Sequence, residues 1–400
     1  MNKKLKIKQE KGITLIALVV TIVVLLILAG VSISLVLNNN GVISKAKDAK
    51  NQYAEAQANE EKHFNEVTDW IDTKVGDTTG GGSAGGSGDS TTKVDGVPIP
   101  AGFVYVGGTK ARGLVISDNA ADKEKYKGQT TVGIDLVGNQ FVWIPVDNIA
   151  DYKRTAYSSN VATGTTDTTT NSEQIKRSSS DSDYFKEALP PDEKTSVETN
   201  KGYYIGRYEA GDKESTEATP PTFRTSSSST SNKITVKAGQ APYNYVTRNQ
   251  AKSLAETFST KQGYTSVKSK LVSSYAWDTA IAFIQKTNSD YGSSSEEGNY
   301  KDSPTFTYTG IGDTEKNKQT KANGTITLIP TGQTTAVNNI YDMGGNVYEW
   351  TTESFSGAIS SRTYRGGNCS CSFASDPAGR RGNYTDGAYG YIGVRLTLFL

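Results

Sequence analysis

The chain has 400 residues and a formal net charge of +1, so its charge balance gives no reason to expect nucleic acid as a partner. Its two Cys rule out a disulfide framework, and its single His excludes a Ser-His-Asp triad or a multi-His metal site outside the neighbourhood of His63. With 22 Tyr, 11 Phe and 4 Trp there is enough aromatic surface for a core, which excludes a wholly disordered chain.

At the N-terminus Lys3, Lys4, Lys6, Lys8 and Lys11 precede an uncharged run from Ile13 to Leu37. About 20 apolar residues cross a bilayer as a helix, so a transmembrane helix is expected over 13–37. The lysines would keep the N-terminus in the cytoplasm, which predicts a single-pass protein of the cell membrane with its C-terminal part extracellular. The string Lys11-Gly12-Ile13-Thr14-Leu15-Ile16 resembles a type IV prepilin leader. That resemblance implies a leader over 1–12, cleavage by a prepilin peptidase between Gly12 and Ile13, and pilin subunits as partners. Ala17 departs from the family's usual Glu, so incorporation into a filament is not implied with the same force.

Val42, Ala46, Ala49, Tyr53, Ala56, Phe64, Val67 and Ile71 recur at helical spacing, which predicts an amphipathic stalk helix over 38–72. His63 falls within it as a solvated polar residue. The Gly/Ser-rich stretch 73–96 reads as a flexible linker. Its glycines formally match GxGxxG but lack the strand and helix that a dinucleotide site needs, and no organic cofactor is expected.

A globular domain is expected over 97–400. Short runs rich in Val, Ile and aromatics at Phe103–Val106, Leu114–Ile116, Phe141–Val146 and Tyr203–Tyr208 read as strands. Helices are expected over about Arg248–Thr257, with Ala251, Leu254 and Ala255 on one face, and over about Tyr275–Gln285, with Trp277, Ala280, Ile281 and Ile284. Ser/Thr-rich stretches at 155–182 and 214–232 read as long loops. The fold class is α+β.

Near the C-terminus the run Asp342-Met343-Gly344-Gly345-Asn346-Val347-Tyr348-Glu349-Trp350 is followed by Arg365-Gly366-Gly367, Arg380-Arg381 and Ile392-Gly393-Val394-Arg395-Leu396. This ordered set, with Tyr203–Glu209, Tyr245-Val246-Thr247 and Trp277 upstream, resembles the formylglycine-generating-enzyme (sulfatase-modifying factor) branch of the C-type-lectin fold. The resemblance implies a structural calcium held by the side chains of Asp342 and Glu349 and the carbonyls of Gly345 and Val347. It also implies that Trp350, Arg365 and Arg395 are scaffold. Oxidases of that family use two Cys to hold copper, the first four residues after the Gly-Gly and the second five residues later. Cys371 meets the first position, but the second is Asp376, and Cys369 is only two residues from Cys371.

Residues 368–391 contain no Lys, Glu, Gln, Met or Trp. These are the types inaccessible when both adenines of an AAC or AAT codon are randomised, and the segment resembles the variable region of proteins targeted by diversity-generating retroelements. The implied function is a non-catalytic, surface-displayed protein that binds an outside ligand, protein or glycan, through Cys369, Ser370, Ser372, Phe373, Arg381, Asn383, Tyr384, Asp386, Tyr389 and Tyr391. The large rigid rings and small polar residues of the segment suit such a surface. The alternatives are a membrane-tethered oxidase of the formylglycine type and a structural minor pilin subunit.

Overall fold

In the computed structural model the described residues are 20, 23–24, 92–155, 174–176, 184–227, 233–292, 298–312, 317–355, 362–372, 377–383 and 386–400. The chain divides into two compact units, Met1–Gly88 and Asp89–Leu400.

The N-terminal expectation requires correction. Among the described residues no helix is long and apolar enough to cross a membrane. Of the run 13–37 only Val20, Val23 and Val24 are described, and they are helical and exposed. Among the described residues the fold class is therefore α+β without a membrane-spanning, pilin-like helix. Membrane attachment, pilin partnership and single-pass localisation, which rested on it, are withdrawn. The leader site Gly12–Ile13 and the stalk 38–72 lie outside the described residues.

The second unit opens with a hairpin, Thr92–Val94 against Val97–Ile99, so ordered pairing begins within the stretch read as linker. Ten further strands and three helices carry the argument below. In chain order they are β1 (Val104–Gly107), β2 (Val115–Ser117), β3 (Gln140–Pro145), α1 (Pro191–Asn200), β4 (Gly202–Gly206), α2 (Arg248–Gln262), β5 (Lys268–Leu271) and α3 (Ser274–Gln285). Then follow β6 (Tyr348–Trp350), β7 (Arg362–Arg365), β8 (Arg381–Asn383), β9 (Ile392–Gly393) and β10 (Leu396–Phe399).

The main sheet is antiparallel with strand order β5-β10-β4-β3-β2-β1. Side chains alternate across a pleated strand, so each strand feeds both faces. Phe141 and Trp143 of β3 join Leu114, Ile116, Tyr204, Leu396 and Leu398 in one core. Val142 and Ile144 join Val115, Tyr203, Ile205 and Phe399 in the other. The first core is covered by Ala251, Leu254, Ala255 and Phe258 of α2, the second by Trp277, Ala280, Ile281 and Ile284 of α3.

The two expected helices are present. The Thr247 hydroxyl accepts from Gln250 N–H while the Gln250 side chain accepts from Thr247 N–H, a reciprocal cap that starts α2. That helix runs past the expected end because Ser259 is held by β5, its N–H donating to Ser269 Oγ at 2.7 Å. Helix α1 has no apolar periodicity and was not expected. Pro191 at its first position and the burial of Val197 and Glu193 hold it, with Glu193 accepting from Tyr152 Oη and Ser273 Oγ, each at 2.7 Å. Within the expected loops, 174–176 forms a strand against Tyr184–Lys186, and Lys213–Glu217 is a short helix capped by Asp212.

The second sheet has order β8-β7-β6-β9, with β6 and β9 parallel. Its inward residues carry charge. Glu349 and Arg395 are both fully buried; Arg395 Nε donates to Glu349 Oε2 at 2.8 Å, and its Nη atoms donate to the carbonyls of Gly206 at 2.7 Å and Tyr341 at 3.0 Å. Burial pushes Glu349 up to about 7, against the pull of Arg395. Beside this pair Arg154 and Arg380 clasp Glu353, while Arg365 and Arg380 clasp Asp278. Burial alone would raise Glu353, but the guanidiniums of Arg380, Arg154 and Arg365 prevail and hold it at about 2.

Removing one member of a buried pair strands the other. Arg395→Met is expected to lower the unfolding free energy by about 3–5 kcal/mol in urea titrations. An unchanged midpoint would show that the pair does not carry the join between the two sheets.

Candidate functional site

The outward face of the second sheet presents a compact aromatic and cationic surface. On β7, Thr363 and Arg365 point inward and are buried, whereas Arg362 and Tyr364 point outward and are half-buried. Register places Tyr364 opposite Trp350 on one side and Arg381 on the other. Tyr348, two residues before Trp350, shares their face. The rings of Tyr348 and Tyr364 lie 4.6 Å apart at 66°, and Trp350 meets Tyr364 edge-on at 5.6 Å. Trp350 is anchored beneath by its indole N–H to the Val246 carbonyl at 2.8 Å.

The turn after β7 brings sulfur to this face. Gly366 and Gly367 both have positive φ (98° and 76°), which a side chain would resist. Cys371 N–H donates to the Asn368 carbonyl at 3.0 Å, closing a turn over 368–371. Cys369 ends up fully buried, and burial pushes its thiol up to about 12. Cys371 is half-buried, with Sγ 3.1 Å from Tyr348 Oη. The turn, not an extended segment, separates the two thiols.

On the other flank, Tyr245 N–H donates to the Tyr389 carbonyl at 3.0 Å and Tyr348 N–H to the Tyr391 carbonyl at 2.8 Å. These bonds pin the backbone of 389–391 while the rings of Tyr389 (37%) and Tyr391 (40%) stay exposed. Burial raises Tyr348 and Tyr364 above the usual phenol range. The Arg381 charge opposes this at both rings; Cys371 adds to it at both and Tyr389 at Tyr364, which marks these groups as close neighbours.

The expected ligand residues thus divide. Arg381, Tyr389, Tyr391 and Ser372 are presented outward. Cys369 is interior, Ser370 is tied by its N–H and hydroxyl to Asn368 Oδ1 (2.9 and 2.7 Å), and Asp386 accepts the first N–H of α2, from Arg248, at 2.8 Å. Asn383 is a backbone partner of Arg362, and Phe373 and Tyr384 lie outside the described residues. Tyr348 and Tyr364 were missed; the signal was their place one residue from an inward charge in Tyr-Glu-Trp and Arg-Thr-Tyr-Arg, a period of two.

The two carboxylates that the resemblance assigns to calcium have other partners. Glu349 is bound to Arg395 through both oxygens. Asp342 accepts from Gly332 N–H at 2.7 Å and from the Thr334 hydroxyl at 3.2 Å. Gly345, with φ of 76°, fits against the Asn299 backbone, 2.5 Å from where a Cβ would sit. Glu209 Oε2 is buried nearby without a hydrogen-bond partner, but it does not complete a set. Among the described residues no group of three or more His, Cys, Asp and Glu side chains is placed to hold a metal ion. The arrangement does not fit a calcium ion that counts Glu349 among its ligands.

Two outcomes are expected. A chelator should leave the melting temperature unchanged, whereas a fall on chelation that calcium reverses would restore the calcium site. Iodoacetamide should label Cys371 in the folded chain and reach Cys369 only on unfolding; equal labelling of both under native conditions would contradict the turn described here.

No curated protein matches the chain. Among solved structures, it is similar to PvdO from Pseudomonas aeruginosa, at 15% identity over 50% of this chain and 82% of that one, with a TM-score of 0.31. It is similar to CarF at 14% identity over 50% and 87%, with a TM-score of 0.31. Similarity to Treponema denticola variable protein 1 covers 68% of this chain and 98% of that one, at 13% identity and a TM-score of 0.37. These likenesses are too distant to carry an argument about activity. Residues 149–398, more than half of the chain, match the Sulfatase-modifying factor enzyme 1-like domain, and the ion pairs built from Glu349, Arg365, Arg380 and Arg395 lie within that span. The chain belongs to this FGE-sulfatase family.

Proposed function

We propose that the protein is a binding member of its family, and that the outward face of the second sheet, bordered by the segment 368–391, holds the ligand. The observation that carries this reading is the convergence of Tyr348, Tyr364, Cys371, Arg381 and Tyr389 on one partly open face above an interior held by buried ion pairs. Rigid rings give contact area at little cost in conformational entropy, and an arginine among them adds directional hydrogen bonding.

The protein is not a copper oxidase of the family's kind. That chemistry needs two thiolates on one metal, and the second thiolate position is Asp376. The spare thiol, Cys369, is interior and held protonated by burial. Cys371 faces Tyr348 instead of a second sulfur.

Diversification of 368–391 is part of the proposal. Its support is the missing set of five residue types and the outward placement of Ser372, Arg381, Tyr389 and Tyr391. Sequencing the gene from many cells of one population tests it. Substitutions are expected to cluster at codons 368–391, at outward positions ahead of inward ones such as Cys369 and Arg380. Variation no greater there than elsewhere in the gene would reject diversification and leave a fixed binding face.

A further inference from the structure

We infer that the ligand of this face is a protein segment that presents a carboxylate to Arg381, an inference that rests on the binding function proposed above. The starting point is a contrast among arginines. Arg365, Arg380 and Arg395 are fully or almost fully buried and each is paired with a carboxylate. Arg381, adjacent to Arg380 but pointing to the opposite face, forms no ion pair among the described residues. Its hydrogen bond is a long one, 3.4 Å from Nη1 to the Arg380 carbonyl.

Among the described residues, its surroundings supply no internal anion. The groups that act on Tyr364, its cross-strand neighbour, are Arg381 itself, Cys371 and Tyr389, with no Asp or Glu among them. The nearest carboxylate in sequence, Asp386, is turned onto the Arg248 N–H at 2.8 Å. Arg362 of β7 lies on the same face of the sheet. A guanidinium flanked by tyrosine rings on a half-buried surface is partly desolvated, so a carboxylate that meets it forms a strong, charge-assisted and geometrically specific pair.

The rest of the face favours a protein as the source of that carboxylate. Tyr348 and Tyr364 offer a packed ring surface with Tyr389 close to Tyr364, and the polarizable Cys371 sulfur lies beside Tyr348. Tyrosine and arginine together form the composition enriched at the centres of protein–protein contacts. The predicted occupant is an Asp or Glu side chain, or a chain-terminal carboxylate, next to an aromatic or aliphatic residue that packs on the rings.

The test is to pan a displayed library of short random peptides against the full-length chain. Enrichment of an acidic residue beside an apolar one is expected. A synthetic peptide of the enriched sequence should bind more weakly as salt rises. Arg381→Gln should weaken that binding about tenfold or more with the melting temperature unchanged, and Arg381→Lys, which keeps the charge, should weaken it less. Neutralising the peptide's acid should cost as much as Arg381→Gln, and nothing further in that variant. Enriched peptides that lack acids, or acid-dependent binding indifferent to Arg381→Gln, would overturn the inference and leave the binding function standing. So would retention of acidic glycans on an array when no peptide is retained. Retention of neither peptides nor glycans would defeat both the inference and the function on which it rests.

Discussion

The buried pair between Arg395 and Glu349 is the contact on which the architecture turns. Arg395 lies in the short link between β9 and β10, so one residue sits at the passage from the second sheet to the main sheet. Its guanidinium reaches the carbonyls of Gly206 at the end of β4 and Tyr341 before the glycine motif, as well as the carboxylate on β6. A planar fork of five donors can hold a carboxylate and two carbonyls at fixed angles, which an ammonium cannot do. The two sheets are thereby set in register with each other before any outward side chain is considered.

A second ionic cluster extends this framework under the candidate site. Asp278 on α3 and Glu353 after β6 each accept from two arginines, so charges that would be costly singly are neutralised as a group. Arg380 belongs to this cluster and Arg381 to the outward face, so neighbouring residues divide between the paired interior and the open surface. Strand geometry makes the division possible, because successive side chains leave on opposite faces.

Some of this was legible in the sequence and some was not, for physical reasons. Strands such as Phe141–Val146 announced themselves because both faces are buried and nearly every residue is apolar or aromatic; the observed strand, Gln140–Pro145, is displaced by one position. Helix α1 was silent because its stabilising contacts are polar: Glu193 meets Tyr152 and Ser273, residues far away in the chain. The ionic cluster was equally hidden, since Arg154 and Glu353 lie 199 positions apart and nothing local marks them as partners. At the proposed site, composition singled out the segment 368–391 but could not give the facing of its residues. Cys369 and Ser370 were counted as ligand residues although the turn at Asn368 draws one inside and engages the other. Tyr348 and Tyr364 were passed over because they sit inside strings that read as scaffold. The uncharged run near the N-terminus gave the most direct signal of all, yet among the described residues no helix of spanning length answers to it.

The register between β7 and β8 has a consequence for how this chain can change over time. Arg380 and Arg381 occupy opposite faces by virtue of a single-residue step, and Tyr364 meets Arg381 directly across the strands. Exchange of one outward residue for another leaves the ionic cluster untouched. Gain or loss of one residue between Gly367 and Arg380 that slid the strand along would carry an arginine out of the cluster and turn a surface residue inward. Its outward positions are therefore free in spelling, whereas its inward ones keep their letters and the register of the strand keeps its place.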